Sequence, residues 1–219
     1  MSRQRAPDAS VRRLQSLLPQ SGTGEPRIPP ACPGDLRPLP RLVAVITGRI
    51  TGTGPPNIFT TLGQHPRLFR AWLGYSARLM PFGSLPRRDT ELVILRVAWQ
   101  CRSAYEWNQH VALALRVGLT QTEVAGAAEG PSASVFTERQ RSLLAASDEL
   151  LAGRALSDAT WSAMQTALSD RQAIELCMLV GQYQGLASAV GGLEIQVEER
   201  PEPAPAARAQ VSRPEGEAS

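Results

Sequence analysis

Lysine is missing from this chain of 219 residues, in which all 23 basic side chains are arginine. No lysine Schiff base can therefore form, with a carbonyl substrate or with pyridoxal phosphate, and an amine nucleophile is excluded. Arginine in place of lysine throughout, beside abundant Ala, Gly and Pro, is the codon signature of a GC-rich genome and carries no functional meaning. Histidine is nearly absent as well, with two residues, and the three cysteines, Cys32, Cys101 and Cys177, are far apart and in no C-x-x-C spacing. Without a Cys/His cluster, no zinc or non-haem iron site is expected within one chain.

Long apolar runs are also lacking. No stretch of about 18 apolar residues occurs, and the start, "MSRQRAPDAS", has no apolar signal region. Unpaired cysteines and the absence of both signals lead us to expect a reduced, cytoplasmic protein with no membrane association. The formal charge is only +3. Fourteen Arg face twelve acids in residues 41–197, so no basic face for nucleic acid is expected. The two "GTG" triplets, at 22–24 and 52–54, follow no strand and lack the full spacing of a phosphate loop.

What is present is helical periodicity, and alternating strand-like runs are short. The first 40 residues include "PQSGTGEPRIPPACPGDLRPLP", too rich in Pro and Gly to fold alone, with a short helix expected near Val11–Leu18. Residues 198–219 have the same character. We expect residues 1–40 to be a largely disordered arm, 41–197 to be one all-α domain, and 198–219 to be a disordered tail. Helices are expected at Leu42–Ile50, Ile58–Leu62, Pro66–Met80, Glu91–Gln100, from Ser103 to "RVGL", and at Ser142–Leu151, Ala159–Leu168 and Ser169–Leu193. The capping residues Thr120, Thr137 (with Gln140 three residues on), Ser157 or Asp158, and Ser169 or Asp170 start helices, and Gly118 ends one. Gly181, Gly185 and Ala189, four apart on the last helix, leave a face that another helix could approach closely.

One helix carries polar residues where its apolar side should be. At about 100° per residue, Ser103, Glu106, Trp107, His110, Leu113, Ala114 and Val117 share one stripe. Its second half is apolar and must face the core, so its first half takes Ser103, Glu106 and His110 out of bulk water. Glu106 and His110, four apart, are close enough to pair as acid and base, and burial tunes such groups toward neutral pH. Taken alone, this spacing also fits a solvated surface pair. Trp107 could wall a pocket or fill the core. His65, before Pro66, reads as a helix-entrance residue, and Cys177 as a small core hydrophobe.

The segment "RDTELVILRVAWQCRSAYEWNQHVALALRVGLT" resembles the carboxymuconolactone decarboxylase/AhpD-like family in order and spacing, and the resemblance extends over roughly residues 40–195. It implies an all-α AhpD-like bundle assembled into trimers or hexamers, with a pocket near a subunit interface. Peroxidase-like members carry E-x11-C-x2-C-x3-H. In this chain the glutamate position is Glu91 and the histidine is His110, but Ser103 and Glu106 stand at the two cysteine positions. No disulfide can form there, and a thiol peroxidase is the least expected reading.

The "YEWNQH" version looks like the decarboxylase branch. The resemblance then implies a cofactor-independent lyase, with neither cofactor nor metal, that removes CO2 from a cyclic lactone acid or β-keto acid. In that scheme His110 delivers a proton or steadies the anion, Glu106 orients and poises the imidazole, and Glu91 supports the pair from behind or relays the proton. With lysine absent, an arginine should anchor the small organic acid. Arg96 is the candidate, although it lies about 140° around the helix from Glu91; Ser103 and Trp107 complete the expected substrate contacts. Two other readings stay open: enolisation, isomerisation or cyclisation at the same site without carbon loss, and a catalytically silent ligand-binding or scaffold oligomer.

Overall fold

The computed structural model describes residues 9–20, 24–51 and 54–198, and among them there are ten helices and no strand. They are α1 (Ala9–Gln15), α2 (Pro38–Thr51), α3 (Asn57–Leu62), α4 (Pro66–Leu79), α5 (Arg87–Gln100), α6 (Ala104–Arg116), α7 (Gln121–Glu129), α8 (Glu138–Gly153), α9 (Asp158–Ala167) and α10 (Asp170–Leu193). The all-α architecture follows the periodicity. Of residues 198–219, expected as a disordered tail, Glu198 is described and held by hydrogen bonds from Asn57, Tyr105 and Gln109, and residues 199–219 lie outside the described residues.

Helix boundaries follow the capping chemistry. Thr120, Thr137 and Ser169 each accept a hydrogen bond from the N3 backbone while the N3 side chain of Glu123, Gln140 or Gln172 reaches back, forming three capping boxes. Ser157 caps α9, and the His65 ring caps α4 by accepting from Leu68 N at 3.3 Å. Gly118 ends α6 at φ +95°, a conformation open to glycine at little cost. Helix α5 begins at Arg87, one turn before the expected Glu91, because Pro86 precedes it and Asp89 sits in its first turn.

Helix α5 is the centre of the molecule. Every residue from Asp89 to Ala98 is buried, since α6, α7, α8 and α10 all pack around it. On one side Leu92 and Leu95 join Trp107, Val111, Val124 and Leu144, and on the other Val93, Ile94 and Val97 join Leu143, Met164, Leu176 and Leu179. At about 25 cal/mol per Å² of apolar area, these two clusters are the main stabilising term.

The N-terminal arm departs from expectation. Where it is described, it is packed: Leu14 and Leu18 are buried in the cluster around Trp107, the Trp107 Nε1–H donates to Leu14 O at 2.8 Å, and Gln15 Nε2 donates to Asn108 O at 2.7 Å. Its proline-rich composition hid two leucines spaced to insert as one face. The stripe on α10 departs too, for a Cβ added at Gly181 or Gly185 would meet no atom within 4 Å. No helix of the described chain crosses there, and that face opens onto a groove shared with α4. No helix is long and apolar enough to cross a membrane among the described residues.

Candidate active site

Helices α5 and α6 bring the polar residues of the stripe to a common place. His110, on the second turn of α6, turns its Nδ1 toward Glu91 Oε2 of α5 at 2.7 Å, and both groups are buried. Glu91 has no exposed surface, and its other oxygen accepts from Arg87 Nη2 at 2.7 Å, one helical turn back. A buried carboxylate is tolerable when two donors satisfy it, and Arg87 is a charged one. The Nδ1–H tautomer of His110 supplies the second donor and turns Nε2 away from Glu91. The Tyr183 ring of α10 stands edge-on to the imidazole at 5.2 Å and 83°, limiting its rotation. Burial, together with the nearby Glu91 and Glu106 charges, pushes the Tyr183 hydroxyl well above its ordinary range, so it stays neutral.

Glu106 is in the opposite situation. It is 2% exposed, and neither carboxylate oxygen meets a hydrogen-bond partner among the described residues. Burial raises its pKa to about 8, with the Ser103 hydroxyl opposing the shift. That hydroxyl is close enough to influence Glu106 yet makes no well-formed hydrogen bond. At neutral pH Glu106 is therefore mostly a neutral carboxylic acid, a proton donor held beside an imidazole.

Both groups open onto one cavity of about 290 Å³. Its walls are largely apolar: Pro56, Ile58 and Phe59 from the turn into and along α3, Trp72, Leu73 and Ala77 from α4, Met80 and Pro81 after it, Leu113 of α6, and Tyr183 and Leu186 of α10. Gln109, Gln182, Ser76 and Tyr105 provide the polar points. A water-poor pocket with few polar groups strengthens each electrostatic interaction inside it.

The expected residues divide. Glu91, Glu106 and His110 come together, but with exchanged partners: the imidazole pairs with Glu91 of the neighbouring helix, and the i,i+4 hydrogen bond to Glu106 does not form. Arg96 is elsewhere. It faces Asp148 through Nε at 2.7 Å and Nη2 at 2.8 Å, and its Nη1 donates to the carbonyls of Ala127 and Ala128, so it locks α5 to α7 and α8. Trp107 is fully buried against Trp99 at 5.3 Å and against α1, and does not border the cavity. Ser103 borders a second pocket, of about 310 Å³, beside Cys101 and Val190. Arg87, Tyr105 and Gln109 were not among the expected site residues; the i,i+4 spacing of Arg87 to Glu91 is the signal that could have found the first, while Tyr183, which the sequence leaves open between the site and an interface, lines the cavity.

Cys101 is half-buried, and burial with the nearby Glu106 charge pushes its thiol up to about 11. A thiol so shifted is a poor nucleophile at neutral pH. Among the described residues no group of three or more His, Cys, Asp or Glu side chains could hold a metal ion.

The fold and this helix pair define an AhpD-like all-helical protein. Residues 66–149, which run from α4 into α8 and contain Glu91, Glu106 and His110, match the family model "Carboxymuconolactone decarboxylase family". Among solved structures it is similar to the alkylhydroperoxidase AhpD core of a peroxidase-related protein from Ralstonia eutropha JMP134, with TM-score 0.72, 18% identity, and 80% of this chain and 93% of that one covered. It is also similar to a cysteine-to-alanine variant of the debrominase Bmp8 in complex with 2,3,4-tribromopyrrole, with TM-score 0.68, 19% identity and coverage of 80% and 92%. A peroxidase-related protein from Silicibacter sp. TM1040 superimposes with TM-score 0.68 at 17% identity, covering 81% of this chain and 96% of that one. No curated protein sequence matches the chain.

Proposed function

We propose that this protein is a lyase that needs no cofactor and removes CO2 from a cyclic lactone acid or β-keto acid by acid–base chemistry in the α5–α6 cavity. The observation that carries this reading is Glu106: a carboxylic acid kept protonated by burial, with both oxygens unpartnered, beside a histidine oriented by a second carboxylate. The match of residues 66–149 to the carboxymuconolactone decarboxylase family model, and serine and glutamate where peroxidase-like members have cysteines, support it.

In the reaction the bond between the substrate's α-carbon and its carboxylate breaks, CO2 leaves, and the electron pair stays on the substrate as an enolate. The apolar walls raise the energy of the starting carboxylate more than that of the dispersed enolate. Glu106 then gives its proton to carbon and is reprotonated from water. His110, with Nδ1–H committed to Glu91, presents Nε2 to the enolate oxygen; as an imidazolium it neutralises the charge developing there. Arg87 holds the other oxygen of Glu91 in place. Every group is a residue of α5 or α6.

A second reading uses the same groups to enolise or isomerise a substrate without losing carbon, and it is favoured by the same unpartnered Glu106, which can return a proton to a different atom. Product mass separates the two. The deciding experiment assays CO2 release by the parent, His110→Ala and Glu106→Gln on a panel of lactone acids and β-keto acids. Loss of at least a hundredfold in both variants is expected, within the usual contribution of about 10² to 10⁴ for a positioned acid or base; equal rates in all three overturn it. Binding across the panel with no turnover by the parent points instead to a silent ligand-binding protein.

The resemblance to AhpD-like proteins also leads us to propose a homo-oligomer, trimer or hexamer. The open Gly181–Gly185–Ala189 face and the exposed Leu68, Ile174 and Met178 are apolar surface of the kind that a subunit contact covers. Native mass spectrometry reads the number of subunits directly.

A further inference from the structure

A carboxylate seat adjoins the cavity, and the chain fills it with one of its own side chains. Tyr105 and Gln109, one turn apart on α6, both line the cavity and both reach Glu198 in the segment after α10. The Tyr105 hydroxyl donates to Glu198 Oε1 at 2.6 Å, the backbone N–H of Asn57 donates to the same oxygen at 2.6 Å, and Gln109 Nε2 donates to Oε2. Tyr105 is 3% exposed, and its oxygen already accepts from Ile58 N at 3.1 Å, which leaves its single proton for the carboxylate.

The segment is tied down on both sides. Asn57 Nδ2 donates to Gln196 O at 2.9 Å, Val197 N donates to Gln20 Oε1 at 3.0 Å, and Ile195 is buried with Ile58, Tyr105 and Val190. Ile195 alone would anchor a chain end by burial. The donors around Glu198 do more, because they present hydrogen bonds to both oxygens of one carboxylate from three separate points. All three are uncharged, so they match the shape of a carboxylate without forming an ion pair that would be hard to exchange. Arg96, bound to Asp148, offers no competing anchor.

We propose that Tyr105, Gln109 and the Asn57 N–H form the subsite for a carboxylate of a ligand entering the cavity, and that Glu198 occupies it until the ligand displaces the C-terminal segment. The ligand is then a carboxylic acid whose anion sits at the Tyr105–Gln109 edge while its apolar part lies against Ile58 and Phe59. A ligand binding a protein whose seat is filled most of the time loses affinity by the free fraction, so removing the internal occupant raises affinity.

The test uses the full chain, benzoate as the probe and benzamide as its uncharged counterpart, with binding followed by titration calorimetry. Glu198→Ala is expected to bind benzoate about tenfold more tightly than the parent, as when the seat is filled about nine-tenths of the time, with benzamide changed less than twofold. Adding Tyr105→Phe or Gln109→Leu to Glu198→Ala should remove that gain; the two are made separately so that one poorly folded variant leaves the other to decide. Equal benzoate affinity in parent and Glu198→Ala, an equal gain for benzamide, or no saturable benzoate binding to either overturns the proposal. None of these readouts involves turnover, so a failure of the decarboxylase reading leaves this result standing, and the reverse holds too.

Discussion

Glu91 Oε2 lies 2.7 Å from His110 Nδ1, joining the central helix α5 to the helix that carries the cavity wall. The contact fixes which nitrogen of the imidazole is protonated. Glu91→Gln removes the charge that selects this tautomer, and turnover is expected to fall about a hundredfold, within the range for a disturbed acid–base pair. The parallel measurement is the ¹⁵N spectrum: with only two histidines in the chain, the ring signals of His110 are assignable, and Nδ1 should be the protonated nitrogen in the parent. A parent spectrum with the proton on Nε2 contradicts this.

Glu106 makes stability fall as pH rises. Its pKa is about 8 in the folded protein against 4.5 as the reference value, so between these limits the folded chain holds a proton that the unfolded chain has released. Stability from this group is complete below pH 4.5 and is lost progressively up to about pH 8, with a slope approaching about 1.4 kcal/mol per pH unit. Urea unfolding of the parent and of Glu106→Gln between pH 5 and 9 should give curves that diverge in this sense. Proton donation by Glu106 should be lost over the same upper limit, so CO2 release is expected to drop above pH 8.

Arg96 is expected to matter for folding and not for substrate. Arg96→Met leaves Asp148 with the Gln100 amide alone and strands the carbonyls of Ala127 and Ala128, and removal of one partner of a buried pair typically costs about 3–5 kcal/mol. Asp148 is partly exposed, which places the expected loss at the lower end. Chemical denaturation measures it; KM should stay within about twofold of the parent where the variant folds, and a large rise in KM would show that the arginine does reach the substrate.

Leu14→Ala tests the packing of α1. Deleting a buried leucine usually costs about 2–5 kcal/mol, and the Leu14 side chain is 7% exposed beside Trp107. Trp107 fluorescence should shift to the red as its environment opens. An unchanged denaturation midpoint would mean that α1 contributes no stability where it lies.

The periodic signals in the sequence were strong where chemistry is local. Thr137 with Gln140 announced a helix start, and the stripe through Glu106 and His110 told that both are buried. Pairing was not local. Side chains four apart on a helix point out side by side, so whether they bond to each other or to a neighbouring helix depends on what packs opposite; here α5 presented Glu91. Trp107, one residue and about 100° beyond Glu106, lies on the flank that faces α1 rather than the cavity. Arg96 was misread for a related reason. A helix enclosed on every side needs polar partners in several directions, and a guanidinium on such a helix can answer to structure as readily as to substrate. Tyr105 and Gln109 gained meaning only from Glu198, 93 and 89 residues away, a separation that no short motif records.

The enclosure of α5 by α6, α7, α8 and α10 has an evolutionary corollary. Glu91 rides on the rod with the least freedom to shift, and His110 is clamped to it, so the proton-handling apparatus cannot be re-aimed without repacking the whole interior. The opposite wall, drawn from α3, α4 and the stretch after α10, touches far less of the molecule. Drift in what this scaffold accepts should accumulate on that lighter side, with one chemistry preserved behind an interchangeable front.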